Sequence, residues 1–140
     1  MAGEPWRVRP LGETEEVIQG IEHVAIAATD ITALADWYVR VLGFSIVYQS
    51  ANATFVRAED GSMIEIIHAD TDRGDQTMKT QGIRHLALKV ADFDAAYTRL
   101  REQQVTFVGE PQESKGNRVV FFTDPEGNYL HLLYRPAPLA

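Results

Sequence analysis

The sequence repeats itself. Gly20-Ile21-Glu22-His23-Val24-Ala25-Ile26 returns as Gly82-Ile83-Arg84-His85-Leu86-Ala87-Leu88, an offset of 62 residues from His23 to His85, and Asp30 returns as Asp92 at the same offset. Further on, Phe55-Val56-Arg57 corresponds to Phe121-Phe122-Thr123, Gly61 to Gly127, and Met63-Ile64-Glu65-Ile66-Ile67 to Tyr129-Leu130-His131-Leu132-Leu133. The later offset is 66, from Glu65 to His131, so the second copy carries four extra residues. Each copy of such a repeat is one supersecondary unit that cannot bury its apolar face alone. At 140 residues the chain therefore makes a single domain over residues 19–136, built from modules at 19–70 and 81–136 with a polar linker at 71–80. Residues 1–18 match neither module. Their Trp6, Val8 and Val17 lie scattered among charges, as in an arm laid over the body or a partner, or in a disordered lead-in; residues 137–140 form a tail.

Both modules change period in the same order. Residues 21–28 are apolar and β-branched, as in a strand; Asp30 or Thr32 then caps a helix whose Leu34, Trp37, Tyr38, Val41 and Leu42 recur at helical spacing until Gly43. Strands at 44–49, 52–58 and 62–68 follow, the last two joined by the turn Glu59-Asp60-Gly61. The second module reads the same way: a strand at 83–90, a helix from Asp92 to Gln104, and strands near 105–109, 117–123 and 128–134. Asp124-Pro125-Glu126-Gly127-Asn128 has the composition of a tight turn and is assigned no chemistry. The fold class is α+β, with two βαβββ modules.

Composition removes several functions. A formal net charge of −7 opposes nucleic-acid binding, which needs cations to neutralise phosphates. No apolar run approaches the roughly eighteen residues of a membrane span, and Met1 to Pro10 lacks the apolar core of a secretory signal, so the expected location is the cytoplasm. With no cysteine, a metal site has only His, Asp and Glu to draw on.

Those residue types fall in a pattern. His23 and His85 occupy the first strands of the two modules, and Glu65 and His131 occupy the last. Side chains alternate across a strand, so His23 shares a face with Ile21 and Ala25, and Glu65 with Met63 and Ile67. Polar groups on apolar faces need partners, and one divalent cation held by His23, Glu65, His85 and His131 would satisfy all four. His68 lies at an odd offset from Glu65 and is read as surface or structural. Arg57, Arg73, Arg84 and Arg118 are available to an anionic group but are read as solvated.

At these residues the chain resembles the vicinal oxygen chelate superfamily of glyoxalase, bleomycin-resistance and extradiol-dioxygenase proteins. The resemblance runs from Gly20 to Pro136 through His23-Val24-Ala25-Ile26, Trp37-Tyr38, Leu42-Gly43-Phe44, Ile64-Glu65-Ile66, His85-Leu86-Ala87-Leu88 and Phe122 to Asn128. It implies two βαβββ modules forming a cupped mixed sheet, a metal on the concave face and commonly a homodimer. It also implies ligands at His23, Glu65, His85 and His131, the last usually Glu in glyoxalase I. Six-coordinate Ni, Co, Mn or Fe would keep two positions for a small substrate with adjacent oxygens, whereas Zn would have to expand its coordination. The leading expectation is a metal-dependent isomerase or lyase in which Glu65 shuttles a proton through an enediolate-type intermediate. The alternatives are an Fe(II) ring-cleaving dioxygenase, and a metal-free resistance protein whose ligand cleft Trp37, Tyr97, Phe107 and Tyr129 would line.

Overall fold

The computed structural model describes residues 17–139, so most of the N-terminal arm lies outside the described residues. Module one runs β1 (His23–Ala28), α1 (Ile31–Arg40), β2 (Ser45–Gln49), β3 (Ala53–Arg57) and β4 (Met63–His68). Module two runs β5 (His85–Lys89), α2 (Phe93–Glu102), β6 (Thr106–Phe107), β7 (Gln112–Ser114), β8 (Asn117–Thr123) and β9 (Tyr129–Tyr134). The repeat is visible down to the caps. Asp30 and Asp92 each accept a hydrogen bond from the backbone N–H three residues on, at 3.0 Å, satisfying one orphan donor of each helix.

Each module forms its own sheet, ordered β1-β4-β3-β2 in the first and β5-β9-β8-β6 in the second, with β7 also on β8. The first strand lies parallel to the last in both, with Ala25 opposite Glu65 and Ala87 opposite His131. Alternation then sorts the faces. Ile26, Ala28, Val56, Ile64 and Ile66 are buried on the helix side against Leu34, Tyr38 and Val41. Val120, Phe122, Leu130 and Leu132 are buried likewise with Phe93 and Leu100, and all of them join one core. Each such side chain contributes about 1.5–3 kcal/mol by leaving water.

The strand expected at 105–109 is present but short, as β6, and a further short strand that was not expected, β7, follows it. Gly109 turns the chain at φ +90°, and Pro111 has no N–H to give a ladder. β6 therefore covers one half of β8 (Thr106 opposite Thr123) and β7 the other (Gln112 opposite Val119).

The turn at 124–128 does more than reverse the chain. Tyr38, fully buried on α1, donates its hydroxyl to Asp124 Oδ2 at 2.7 Å. The same carboxylate accepts from the Glu126 and Asn128 backbone N–H groups and from Asn128 Nδ2. Glu126 reaches across to accept from Thr29 N and Asp30 N, each at 2.9 Å. Arg99 on α2 donates to the carbonyls of Val41 and Arg40 at the end of α1. The segment read from composition as a turn is thus the latch that joins the modules.

Candidate metal centre

The strand register brings the four sequence-selected side chains together as two pairs. His23 opens β1 and Glu65 is third on β4, with His23 Nε2 3.5 Å from Glu65 Oε1. His85 opens β5 and His131 is third on β9, with ring centroids 4.7 Å apart. Among the described residues no three His, Cys, Asp or Glu side chains gather as one metal site, so the pairs remain separate within one chain.

Each pair has an aromatic wall, and the repeat supplies it. Phe55 lies opposite Glu65 in register and meets His23 edge-on at 5.2 Å. Phe121 lies opposite His131, 4.7 Å from its ring and 5.3 Å from that of His85. Neither phenylalanine was selected from sequence as a site residue, although their equivalence in the repeat was the signal.

Hydrogen bonds choose which imidazole nitrogens stay available. His23 Nδ1 is 2.9 Å from a Glu22 carboxylate oxygen and His131 Nδ1 is 3.0 Å from the Leu132 carbonyl. Both partners are acceptors, and a proton on Nδ1 in each ring turns the Nε2 lone pair to a ligand, as in histidines that bind metals. For His23 that lone pair lies on the Glu65 side, where a cation between Nε2 and the carboxylate would serve both. Burial holds the His131 imidazole below the usual histidine range. The Leu132 carbonyl works against that shift, while His85 and Arg135 reinforce it. His131 is thereby kept neutral near pH 7, the form a cation requires.

Of the four polar side chains, His131 is buried, 7% exposed. The other faces are open: His23 and His85 are exposed and Glu65 is half-buried. Of the aromatics considered for a ligand cleft, Trp37 is buried in the core, and Tyr97 and Phe107 pack on each other at 5.1 Å against it. Only Tyr129 of the four borders the crevice between β1 and β5. Arg84, read as solvated, is half-buried there with its Nε enclosed. His68 is exposed, as expected, with Nε2 3.1 Å from the Ala51 carbonyl.

Paired βαβββ modules with matched polar pairs on their first and last strands define a class, and the comparisons agree with it. Residues 20–132 match the Glyoxalase/Bleomycin resistance protein/Dioxygenase superfamily, and the chain belongs to that family. It is 30% identical to the protein YaeR of Escherichia coli (strain K12), over 82% of this chain and 95% of YaeR. It is 26% identical to a lactoylglutathione lyase of Pseudomonas putida, over 84% of this chain and 80% of the lyase. Among solved structures, a glyoxalase family protein from Enterococcus faecalis superposes with a TM-score of 0.70 at 27% identity, covering 82% of this chain and 97% of that one. Other relatives are named as an epimerase, a metallothiol transferase and a diol dioxygenase, so the family spans several reactions. Among the described residues no helix is long and apolar enough to cross a membrane.

Proposed function

We propose that the protein is a divalent-metal-dependent lyase or isomerase acting on a small substrate with adjacent oxygens. The observation that carries this reading is the repeat-matched pair of donor sets, His23 with Glu65 and His85 with His131, with Nδ1 of His23 and of His131 tied to acceptors. These donors suit Ni, Co, Mn, Zn or Fe, which when bound supplies Lewis acidity toward the substrate oxygens. Glu65 is the proton carrier. Its carboxylate would take the proton from the hydroxyl-bearing carbon, whose electron pair forms the carbon–carbon double bond as the neighbouring carbonyl oxygen takes the charge. It would return the proton to the former carbonyl carbon while the hydroxyl proton passes to the other oxygen; Phe55 and Phe121 exclude water beside the imidazoles.

Each chain holds two half-sites, and a homodimer completes them, one subunit giving His23 and Glu65 and the other His85 and His131. Two features support a second copy as the occupant. β1 and β5 each end their sheet with one edge unpaired among the described residues. The residues leading into them, Ile21 and Ile83, are 85% and 80% exposed.

The test is metal analysis of the purified protein followed by assays with α-hydroxycarbonyl and thiohemiacetal substrates. Near one equivalent per chain, turnover without oxygen uptake, and loss of turnover with weakened metal binding in Glu65→Gln are expected. Iron with oxygen uptake on a catechol would replace this reading with ring cleavage. No metal after reconstitution would leave a ligand-binding protein.

A further inference from the structure

We propose that the crevice between β1 and β5 is a binding site for a small oxyanion, a carboxylate or a phosphate, held by Arg84 and Arg73. The crevice encloses about 200 Å³ and is bordered by residues 24–27 of β1, by Arg84 and His85 at the start of β5, and by Arg73, Gln76, Asn128 and Tyr129. Two guanidinium groups and an imidazole line it, and no carboxylate does. The crevice is therefore locally positive in a chain with 20 acidic and 13 basic residues.

Both arginines are fixed by neutral acceptors, which orient a guanidinium without cancelling its charge. Arg84 Nη1 donates to Gln76 Oε1 at 3.0 Å and to the Thr77 carbonyl at 3.3 Å. Arg73 Nη2 donates to Asn128 Oδ1 at 2.8 Å and to the Glu126 carbonyl at 3.1 Å. None of the ion pairs among the described residues includes either arginine. Arg84 Nε is buried and has no hydrogen-bond partner. With Nε enclosed, the ligand meets the remaining edge of the guanidinium, and the planar fork of arginine suits a carboxylate or phosphate edge.

Size narrows the ligand. Sites for drug-sized molecules run to about 300–1,000 Å³, and a crevice of about 200 Å³ is matched to a phosphate or a short-chain acid. Because His85 borders it, the oxyanion can be a free ion or the anionic end of the substrate that the proposed metal site handles.

The experiment titrates inorganic phosphate into chelator-treated, ¹⁵N-labelled protein, so that its outcome does not depend on the metal reading. Saturable binding is expected, with the Arg84 Nε–Hε resonance shifting and with affinity falling at least about tenfold in Arg84→Gln and in Arg73→Gln. Arg84→Lys, which keeps the charge but not the fork, should fall between them and the parent. Circular dichroism of each variant separates lost binding from lost fold. Malonate that binds more tightly to metal-loaded than to chelator-treated protein assigns the site to the substrate's anionic end, and phosphate binding indifferent to metal assigns it to a free ion. A response no larger than that to chloride at equal ionic strength, or unchanged affinity in folded Arg84→Gln, overturns the proposal.

Discussion

Replacing Tyr38 by Phe removes one oxygen from the centre of the latch and leaves the ring in place. The hydroxyl is fully buried and donates at 2.7 Å to a carboxylate that is itself 3% exposed. A hydrogen bond to a charged acceptor contributes about 1.5–3 kcal/mol. Asp124 keeps three other donors, from Glu126 N, Asn128 N and Asn128 Nδ2, so the carboxylate is not stranded and a loss near 2 kcal/mol is expected. For a chain of this length that lowers Tm by roughly 6 °C. Asp124→Ala is worse. It strips all four donors of their acceptor, strands the Tyr38 hydroxyl and should cost about 3–5 kcal/mol. Urea unfolding of the parent, both single variants and the double variant measures the coupling, and Tyr38→Phe should cost nothing further once Asp124 is gone. The pH dependence gives a second check. Burial, then the charge of Asp124 and its hydrogen bond, hold the Tyr38 phenol well above its usual range. Since its folded pKa is raised, the stabilisation is fully present below about pH 10 and lost as pH rises beyond it. Tyr38→Phe should flatten that alkaline decline. A loss under about 0.5 kcal/mol, or full additivity with Asp124→Ala, would refute the latch.

Three further outcomes follow from the same geometry. Burial pushes the Glu126 carboxyl up, but the Thr29 and Asp30 N–H groups outweigh it and hold the group below the usual carboxylate range. Its stabilisation is therefore present above about pH 4.3 and lost as pH falls. Glu126→Gln should cost less than about 1 kcal/mol at pH 7, given the partial exposure of the group, and weaken the acid dependence seen by denaturant titration. Gly127 sits at φ +89°, where a Cβ would lie in ordinary contact with Arg73, so Gly127→Ala should cost about 1–2 kcal/mol from backbone strain alone, read by thermal unfolding. Co-refolding His23→Ala/Glu65→Ala chains with His85→Ala/His131→Ala chains should restore one complete metal site per mixed dimer. Recovery of no tight metal would count against a shared centre.

The repeat was legible because it is written in residue identity. Paired Gly-Ile-x-His openings and paired closing strands fix two βαβββ units and the equivalence of His23 with His85 and of Glu65 with His131, while the choice of Asp30 over Thr32 as cap came from the structure. Local periodicity also decides which strand face carries Ile26 and Ile66 and which carries His23 and Glu65. The extra short strand β7 was less legible, because a seven-residue β8 can be covered piecemeal by partners that period alone does not identify.

What lies between the modules was not legible. Asp124 and Glu126 read as turn residues because turn composition is local, whereas their partners Tyr38, Thr29 and Asp30 lie 86 to 97 residues away. Arg84 read as a solvated cation for the same reason, and only the packing of β5 beside the linker encloses its Nε. The sequence by itself determined the modules and the donor types each one carries, since those depend on short-range period and chemistry. Tertiary structure alone decided that the donors stand as two pairs, that a turn locks the modules together and that two arginines share a crevice with no acid. Distances between segments distant in sequence are set by how the sheets and helices pack, and no local pattern encodes them.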